Sequence, residues 1–280
     1  MSTKKFAVIG HPIGHTMSPF IHTRLFALSG VDAEYTKLDI APENLSEEYK
    51  NTLSKLDGYN ITIPHKQNII PLIDEIDSKA KMYGSVNTVS NREGVAKGYT
   101  TDPDGFLKAL DASGIVLSGR VVILGCGGVA RTMAYEIALK NLPVLFAVRI
   151  EDIKIAEGLC DEIKRTIIGA KADYCTIPEL GGDIDVLVNA TPIGMYPRVD
   201  AQPVSDSIIN KSANVFDAIY NPLETVLIKK AKANGAKAVG GMSMLVWQAV
   251  VSHEHWDGST YAVEDINKLC LDSANELMSK

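Results

Sequence analysis

At 280 residues the chain is long enough for about two domains, and its 46% hydrophobic and 22% charged residues make an ordinary soluble composition able to build sizeable cores. A formal charge of −6 disfavours a nucleic-acid partner, since domains that bind nucleic acid are usually basic. No apolar stretch approaches the ~20 residues of a membrane span, so no membrane partner is expected either.

The start, Met1 to Lys5, is basic, but the apolar run after it breaks at Gly10-His11-Pro12. It reads as a first strand, Phe6 to Gly10, and not as a signal peptide. Ser18-Pro19 opens a helical pattern that reaches Leu28 and is closed by Gly30, with Ser18 as the N-cap and Pro19 at the first helical position. Glu34 to Ile40 is a second strand, and Leu56 to Ile63 a third, stopped by Pro64. Val86 to Val89 and Val95 to Tyr99 form a hairpin around Asn91 to Gly94. Asp102-Pro103-Asp104 opens a helix to Ala112, ahead of Gly114. The alternation of strand and helix argues for a mixed α/β sheet.

A second set of elements begins at Arg120. The run from Val121 to Arg131 reads as a buried strand, a glycine turn and the start of a helix, the dinucleotide-binding arrangement G-x-G-x-x-A. Gly125 allows the tight turn, Gly127 lets backbone approach a pyrophosphate, and small Ala130 lets helix pack on strand. The helix N-terminus offers unpaired N–H groups to phosphates. The helix runs from Ala130 to Lys140, and strands follow at Val144 to Val148, Ile184 to Asn189, Asn214 to Ala218 and Lys237 to Val239. Ile184 to Asn189 is continuously apolar, as parallel sheets require. Another helix covers Glu224 to Asn234, with Gly235 as its stop. Two helical stretches remain, Ser243 to His255 and Val263 to Met278, placed to pack back on the first domain. The expected architecture is α/β in two domains. Residues 1–113 plus 243–280 form a mixed α/β substrate domain, and residues 114–242 form a Rossmann-type nucleotide domain.

Cofactor choice should be written at the end of the strand after the glycine turn. An acid there would bind the ribose 2′-hydroxyl of NAD, and an arginine the 2′-phosphate of NADP. The strand ends Phe146-Ala147-Val148-Arg149-Ile150, which favours NADP and leaves NAD open. In the first domain Asn60 and Thr62 share one face of a strand by its period of two, and Lys66 follows at the start of the next helix. A lysine there opposes the helix dipole, and a partly buried lysine can act as general acid or base. Asp102 and Ser18, each before a proline, also read simply as N-caps, and Asn87 as a turn residue. Gln248 sits in an apolar helix, where a core-facing polar residue needs a partner. His11, His15, His22 and His65 fit no zinc spacing and have no acidic pair, so no metal is expected. The four cysteines, Cys126, Cys160, Cys175 and Cys270, form no C-x-x-C pair; they suit a reducing cytoplasm rather than a disulfide framework.

Seven ordered segments carry a resemblance. They are Gly10-His11-Pro12-Ile13-Gly14-His15-Thr16-Met17-Ser18-Pro19, Asn60-Ile61-Thr62-Ile63-Pro64-His65-Lys66, Gly84-Ser85-Val86-Asn87-Thr88-Val89, Gly98-Tyr99-Thr100-Thr101-Asp102, Asn189-Ala190-Thr191-Pro192-Ile193-Gly194-Met195, Asp217-Ala218-Ile219-Tyr220-Asn221-Pro222 with Thr225, and Gly241-Met242-Ser243-Met244-Leu245-Val246-Trp247-Gln248-Ala249. Together they resemble the shikimate dehydrogenase family over nearly the whole chain. The resemblance implies Lys66 and Asp102 as the catalytic pair. It implies Thr16 and Ser18 at the substrate carboxylate, and Asn60, Thr62, Asn87, Tyr220 and Gln248 at the ring hydroxyls. At the cofactor it implies Gly125, Cys126, Gly127, Gly128, Val129, Ala130, Arg149, Thr191, Met195 and Gly241. The implied reaction is reversible reduction of 3-dehydroshikimate to shikimate by NADPH, in chorismate and aromatic amino-acid biosynthesis. Beside it, a monomer or homodimer in the cytoplasm is expected.

Four departures from the family pattern stand out. Thr16 replaces a serine, Thr100 an asparagine, and His253 an aromatic residue near Trp256. Val148 and Ile150 flank Arg149 where the family has hydrogen-bonding side chains. A quinate or broad-specificity shikimate/quinate dehydrogenase, with NAD open to it as cofactor, is therefore the nearest alternative. A catalytically silent nucleotide-binding regulator is a further one, against which Lys66 and Asp102 both speak.

Overall fold

The computed structural model describes residues 3–14 and 16–279. His15, weighed above as a metal ligand, lies outside the described residues, as do Met1 and Ser2 of the basic start. The chain divides into two compact units, Met1–Gly105 with Val246–Lys280, and Phe106–Leu245. Both divisions fall inside helices rather than in the loops beside them.

The first unit carries β1 (Lys4–Gly10), α1 (Ser18–Ser29), β2 (Ala33–Asp39), α2 (Leu45–Asn51), β3 (Gly58–Ile61), α3 (His65–Asn68), β4 (Glu75–Ile76), α4 (Ser78–Tyr83), β5 (Thr88–Arg92), β6 (Val95–Tyr99) and the start of α5 (Asp102–Ala112). Its six-stranded sheet has the order β2-β1-β3-β5-β6-β4. β1 pairs in parallel with both β2 and β3, while β3, β5 and β6 run antiparallel. The alternation in β1 divides the core. Ala7 and Ile9 face one cluster with Leu53, Tyr59 and Ile69, and Phe6 and Val8 face another with Phe26, Tyr35 and Trp256. Burying one such aromatic side chain stabilises the fold by roughly 1.5–3 kcal/mol. Trp256 packs against β3, where a Cβ on Gly58 would come within 2.5 Å of its ring nitrogen, and its Nε1 donates to the Val89 carbonyl at 2.8 Å.

The second unit holds the rest of α5, then β7 (Val121–Leu124), α6 (Gly128–Leu139), β8 (Val144–Val148), α7 (Ile153–Thr166), β9 (Ala172–Thr176), β10 (Ile184–Asn189), α8 (Asp206–Ile209), β11 (Ser212–Asp217), α9 (Val226–Ala233) and β12 (Lys237–Gly240). The chain returns to the first unit along α10 (Gly241–Trp256) and ends with α11 (Val263–Met278). The second sheet is wholly parallel in the order β12-β11-β10-β7-β8-β9. β7 is buried along its entire length, as a central strand covered on both faces must be. The order reverses between β7 and β10, the topological switch point at which open α/β sheets bind ligands.

Local chemistry shifts several expected boundaries. Ser18 is the first helical residue of α1 and not its cap; the N-cap is Met17, and the Thr16 hydroxyl accepts the Ser18 N–H at 3.2 Å instead. α6 begins at Gly128, two residues ahead of the expected Ala130, because Gly127 in extended conformation serves as its N-cap. α9 starts after Thr225, not at Glu224, since the Thr225 hydroxyl accepts from Ile228 N at 3.3 Å. α10 starts at Gly241 rather than Ser243.

Candidate active site

In the first unit, four segments distant in sequence converge on one polar network. Lys66 rides on the single turn of α3, which follows β3 directly; the Lys66 carbonyl accepts from Val86 N at 2.8 Å, tying it to the loop before β5. Its Nζ donates to Asp102 Oδ2 at 2.6 Å, with 30% and 26% of the two side chains exposed. Asn87 Nδ2 donates to the other oxygen, Asp102 Oδ1, at 2.9 Å. Asn87 is held in turn by Thr101, whose N–H donates to Asn87 Oδ1 at 2.8 Å. The Thr101 hydroxyl lies 3.3 Å from Gln248 Oε1, which brings α10 into the group. Both Asp102 oxygens thus meet side chains of other segments, which goes beyond a capping role.

Asn60 is buried and its amide is spoken for at both ends. Its Oδ1 accepts from Tyr35 Oη at 2.7 Å, and its Nδ2 meets Thr88 Oγ1 and Ser252 Oγ at 3.0 Å and the Asn87 carbonyl at 3.3 Å. Thr62 stands just past β3, with its methyl where a Cβ on Gly10 would lie. Thr16 and Ser18 bond each other through their hydroxyls at 3.1 Å.

The histidines are dispersed among structural partners. His11 Nδ1 donates to Asp39 at 2.7 Å, and His65 Nε2 donates to the Ile40 carbonyl at 2.6 Å. His22 bonds His253 at 3.0 Å inside the aromatic core, and His253 in turn meets Tyr261 Oη at 2.9 Å. Burial holds both rings well below the ordinary histidine range, His253 at about 4.

In the second unit the glycine turn lies at the switch point. Gly125 has φ +89, and a Cβ there would come within 2.9 Å of the Thr191 methyl on the loop after β10. Among the described residues, and beyond the adjacent backbone, no heavy atom lies within 4 Å of where a Cβ would sit on Gly127 or Gly128, and no side chain caps the N-terminus of α6. An open glycine surface next to unpaired N–H groups fits a dinucleotide pyrophosphate. Ala130 is fully buried, Val129 exposed, and Cys126 half-buried with its thiol pushed up by burial. Gly241 admits no side chain, because a Cβ would fall 2.1 Å from the Ala218 carbonyl. Met195 and Tyr220 are exposed. Arg149 is exposed too, but ion-paired with Asp152 at 2.7 Å and Glu151 at 3.2 Å.

One hub in this unit was not foreseen. Asp217, fully buried, accepts from Thr225 Oγ1 at 2.6 Å, Asn189 Nδ2 at 3.0 Å and Ile219 N at 3.1 Å. Asn189 Oδ1 accepts from the Thr191 hydroxyl at 2.7 Å. The loops that carry Thr191 and Tyr220 therefore hang from one carboxylate, which burial pushes above the usual range. The signal lay in the recurrence of Asn, Asp and Thr at strand ends, where buried polar groups must pair with one another.

Comparison with known proteins finds relatives of these features. Residues 8–89 match the family model described as the shikimate dehydrogenase substrate binding domain. The chain is 37% identical over 276 residues to the shikimate dehydrogenase (NADP(+)) of Methanocaldococcus jannaschii, covering 96% of this chain and 97% of that one. Its structure resembles shikimate 5-dehydrogenase from Thermus thermophilus in complex with NADP(H) and shikimate, with a TM-score of 0.84, 30% identity and 96% and 99% of the two chains covered. It also resembles the Listeria monocytogenes enzyme in complex with shikimate and NAD, with a TM-score of 0.86, 28% identity and 95% and 96% covered.

Proposed function

The chain belongs to the shikimate dehydrogenase family, and from that membership we propose how its residues share the work. It is an NADP-dependent oxidoreductase acting on a CH–OH group, and its reaction is the reversible reduction of 3-dehydroshikimate to shikimate. The nicotinamide, when bound, supplies or accepts the hydride at the ring carbon. The protein must then supply the proton, because a ketone oxygen that becomes a hydroxyl gains one.

The observation that carries our assignment is the Lys66–Asp102 pair, braced by Asn87. In the reductive direction Lys66 Nζ gives its proton to the substrate oxygen, and in the oxidative direction it takes that proton back. Asp102 keeps the ammonium aimed, and Asn87 fixes which Asp102 oxygen it meets. The partial exposure of both side chains lets Lys66 exchange protons with solvent.

Thr16 and Ser18 are proposed to hold the substrate carboxylate, and Thr62, Asn87, Gln248 and Tyr220 the ring hydroxyls. Asn60 is proposed to join them through the second lone pair of its Oδ1, because its Nδ2 already meets Thr88, Ser252 and the Asn87 carbonyl. A site of buried hydrogen-bonding groups rejects analogues that leave one unpaired. The Gly125–Ala130 turn, Thr191, Met195, Arg149 and Gly241 are proposed for the cofactor. Cytoplasmic residence is proposed on four free thiols, two of which burial makes inert, Cys160 pushed up to about 11 and Cys270 to about 12. The assembly is proposed to be a monomer or homodimer.

Steady-state rates with shikimate and quinate, each with NADP and NAD, test the reading. We expect the highest kcat/KM for shikimate with NADP. A higher value for quinate would replace the substrate assignment with the quinate alternative.

A further inference from the structure

We propose that Asp152 is a specificity-determining residue for the cofactor: it latches Arg149 in an internal ion pair that a 2′-phosphate has to open, so that the chain distinguishes NADP from NAD less sharply than an unlatched arginine would. This rests on the reading of the Gly125–Ala130 turn as the dinucleotide site.

The geometry begins at the end of β8. Arg149 is extended, and the chain then tightens into a single 3₁₀ turn over Ile150–Asp152, with Asp152 N donating to the Arg149 carbonyl at 3.0 Å. That turn swings two acids back onto the one guanidinium, Asp152 onto Nε at 2.7 Å and Glu151 onto Nη1 at 3.2 Å. Asp152 is the more enclosed partner, its side chain 22% exposed against 60% for Arg149. The Asp152 carbonyl lies 3.9 Å from Cys126 Sγ, which stands in the glycine turn itself, so the latch is adjacent to the proposed pyrophosphate site.

The charge balance decides the consequence. One cation faces two anions, and neither Val148 nor Ile150 has a side chain able to bond a phosphate. Of the three side chains at this strand end, Arg149 is the one that attracts a 2′-phosphate, and the phosphate competes for it against Asp152 while both acids repel it. A ribose 2′-hydroxyl has no such conflict, because a carboxylate at this strand end is an acceptor for it. Exposed ion pairs are weak enough to open, so the latch biases the choice without forbidding NADP.

The test is equilibrium binding of NADPH and NADH without substrate, followed by cofactor fluorescence in the wild-type chain, Asp152→Asn, Glu151→Gln, Arg149→Ala and the Asp152→Asn/Arg149→Ala double variant. Asp152→Asn should tighten NADPH about five- to tenfold and leave NADH unchanged or weaker, from the usual strength of an exposed pair plus the removed repulsion. Glu151→Gln should shift the NADPH-to-NADH ratio the same way by less. The double variant should show no gain, since the freed charge belongs to Arg149. An unchanged ratio in both acid variants overturns the latch. Failure of the underlying reading would look different, as wild-type protein that binds neither cofactor, and would overturn the latch with it.

Discussion

Lys66 shows how a single side chain acquires a chemical role from its neighbours. On its own it is a lysine on a one-turn helix; with Asp102 and Asn87 it is an oriented proton carrier. Lys66→Ala should lower kcat by about two to four orders of magnitude, the usual worth of a general acid–base group. Stability should fall by about 1 kcal/mol or less, because a part-exposed ion pair contributes little. Stopped-flow rates beside thermal unfolding check both, and a kcat within tenfold of wild type would remove Lys66 from the proton path. Lys66 and Asp102 stood out in sequence through their motif neighbours. Thr101, Ser252 and Tyr35 did not, since their meaning depends on partners far along the chain. The Asn60–Ser252 bond spans 192 positions, and no local pattern announces such a contact.

At the scale of elements, two loops of the second unit hang on the Asp217 carboxylate. Asp217→Ala strands the Asn189 amide, the Thr225 hydroxyl and the Ile219 N–H in the interior. It should destabilise the protein by roughly 3 kcal/mol, from the cost of unsatisfied buried groups. It should also raise the KM for cofactor, because the Thr191 loop loses its tether. Denaturant unfolding with Asp217→Asn as the shape-preserving control measures this, and equal stability of wild type and Asp217→Ala would refute the hub. Punctuation made some elements legible: Pro19 and Gly30 bracket α1, and glycines mark the turn after β7. β9 escaped notice because it is an edge strand of mixed polarity, Ala-Asp-Tyr-Cys-Thr. α7 was there to be read, its buried Ala156, Leu159, Cys160 and Ile163 repeating at helical spacing.

For the whole molecule, the buried His22–His253 pair sets an acid limit. Burial keeps both rings neutral, and Phe26, Tyr35, Trp256 and Tyr261 surround them while Asp257 pulls His253 the other way. Below the ordinary histidine value near 6.5 the unfolded chain takes up protons that the folded chain refuses. Stability is thus complete above about pH 6.5 and falls as pH drops toward 4, by up to about 1.4 kcal/mol per pH unit for each histidine. Tm should decline over that window, and His253→Phe should flatten the decline. Parallel Tm curves for wild type and variant would acquit the pair.

The first unit is interrupted by the second, with Val246–Lys280 returning to complete what Met1–Gly105 began. This orders events during synthesis on the ribosome. Phe106–Leu245 is one continuous stretch and can close its sheet as soon as it has emerged. The earlier-made sheet cannot, because Trp256, which covers Phe6 and bonds the Val89 carbonyl, is translated only after the whole of the second unit. The amino-terminal segment of the first unit therefore waits with β1 and β3 incompletely covered while its successor folds, reversing the usual order in which the first-made part of a chain matures first.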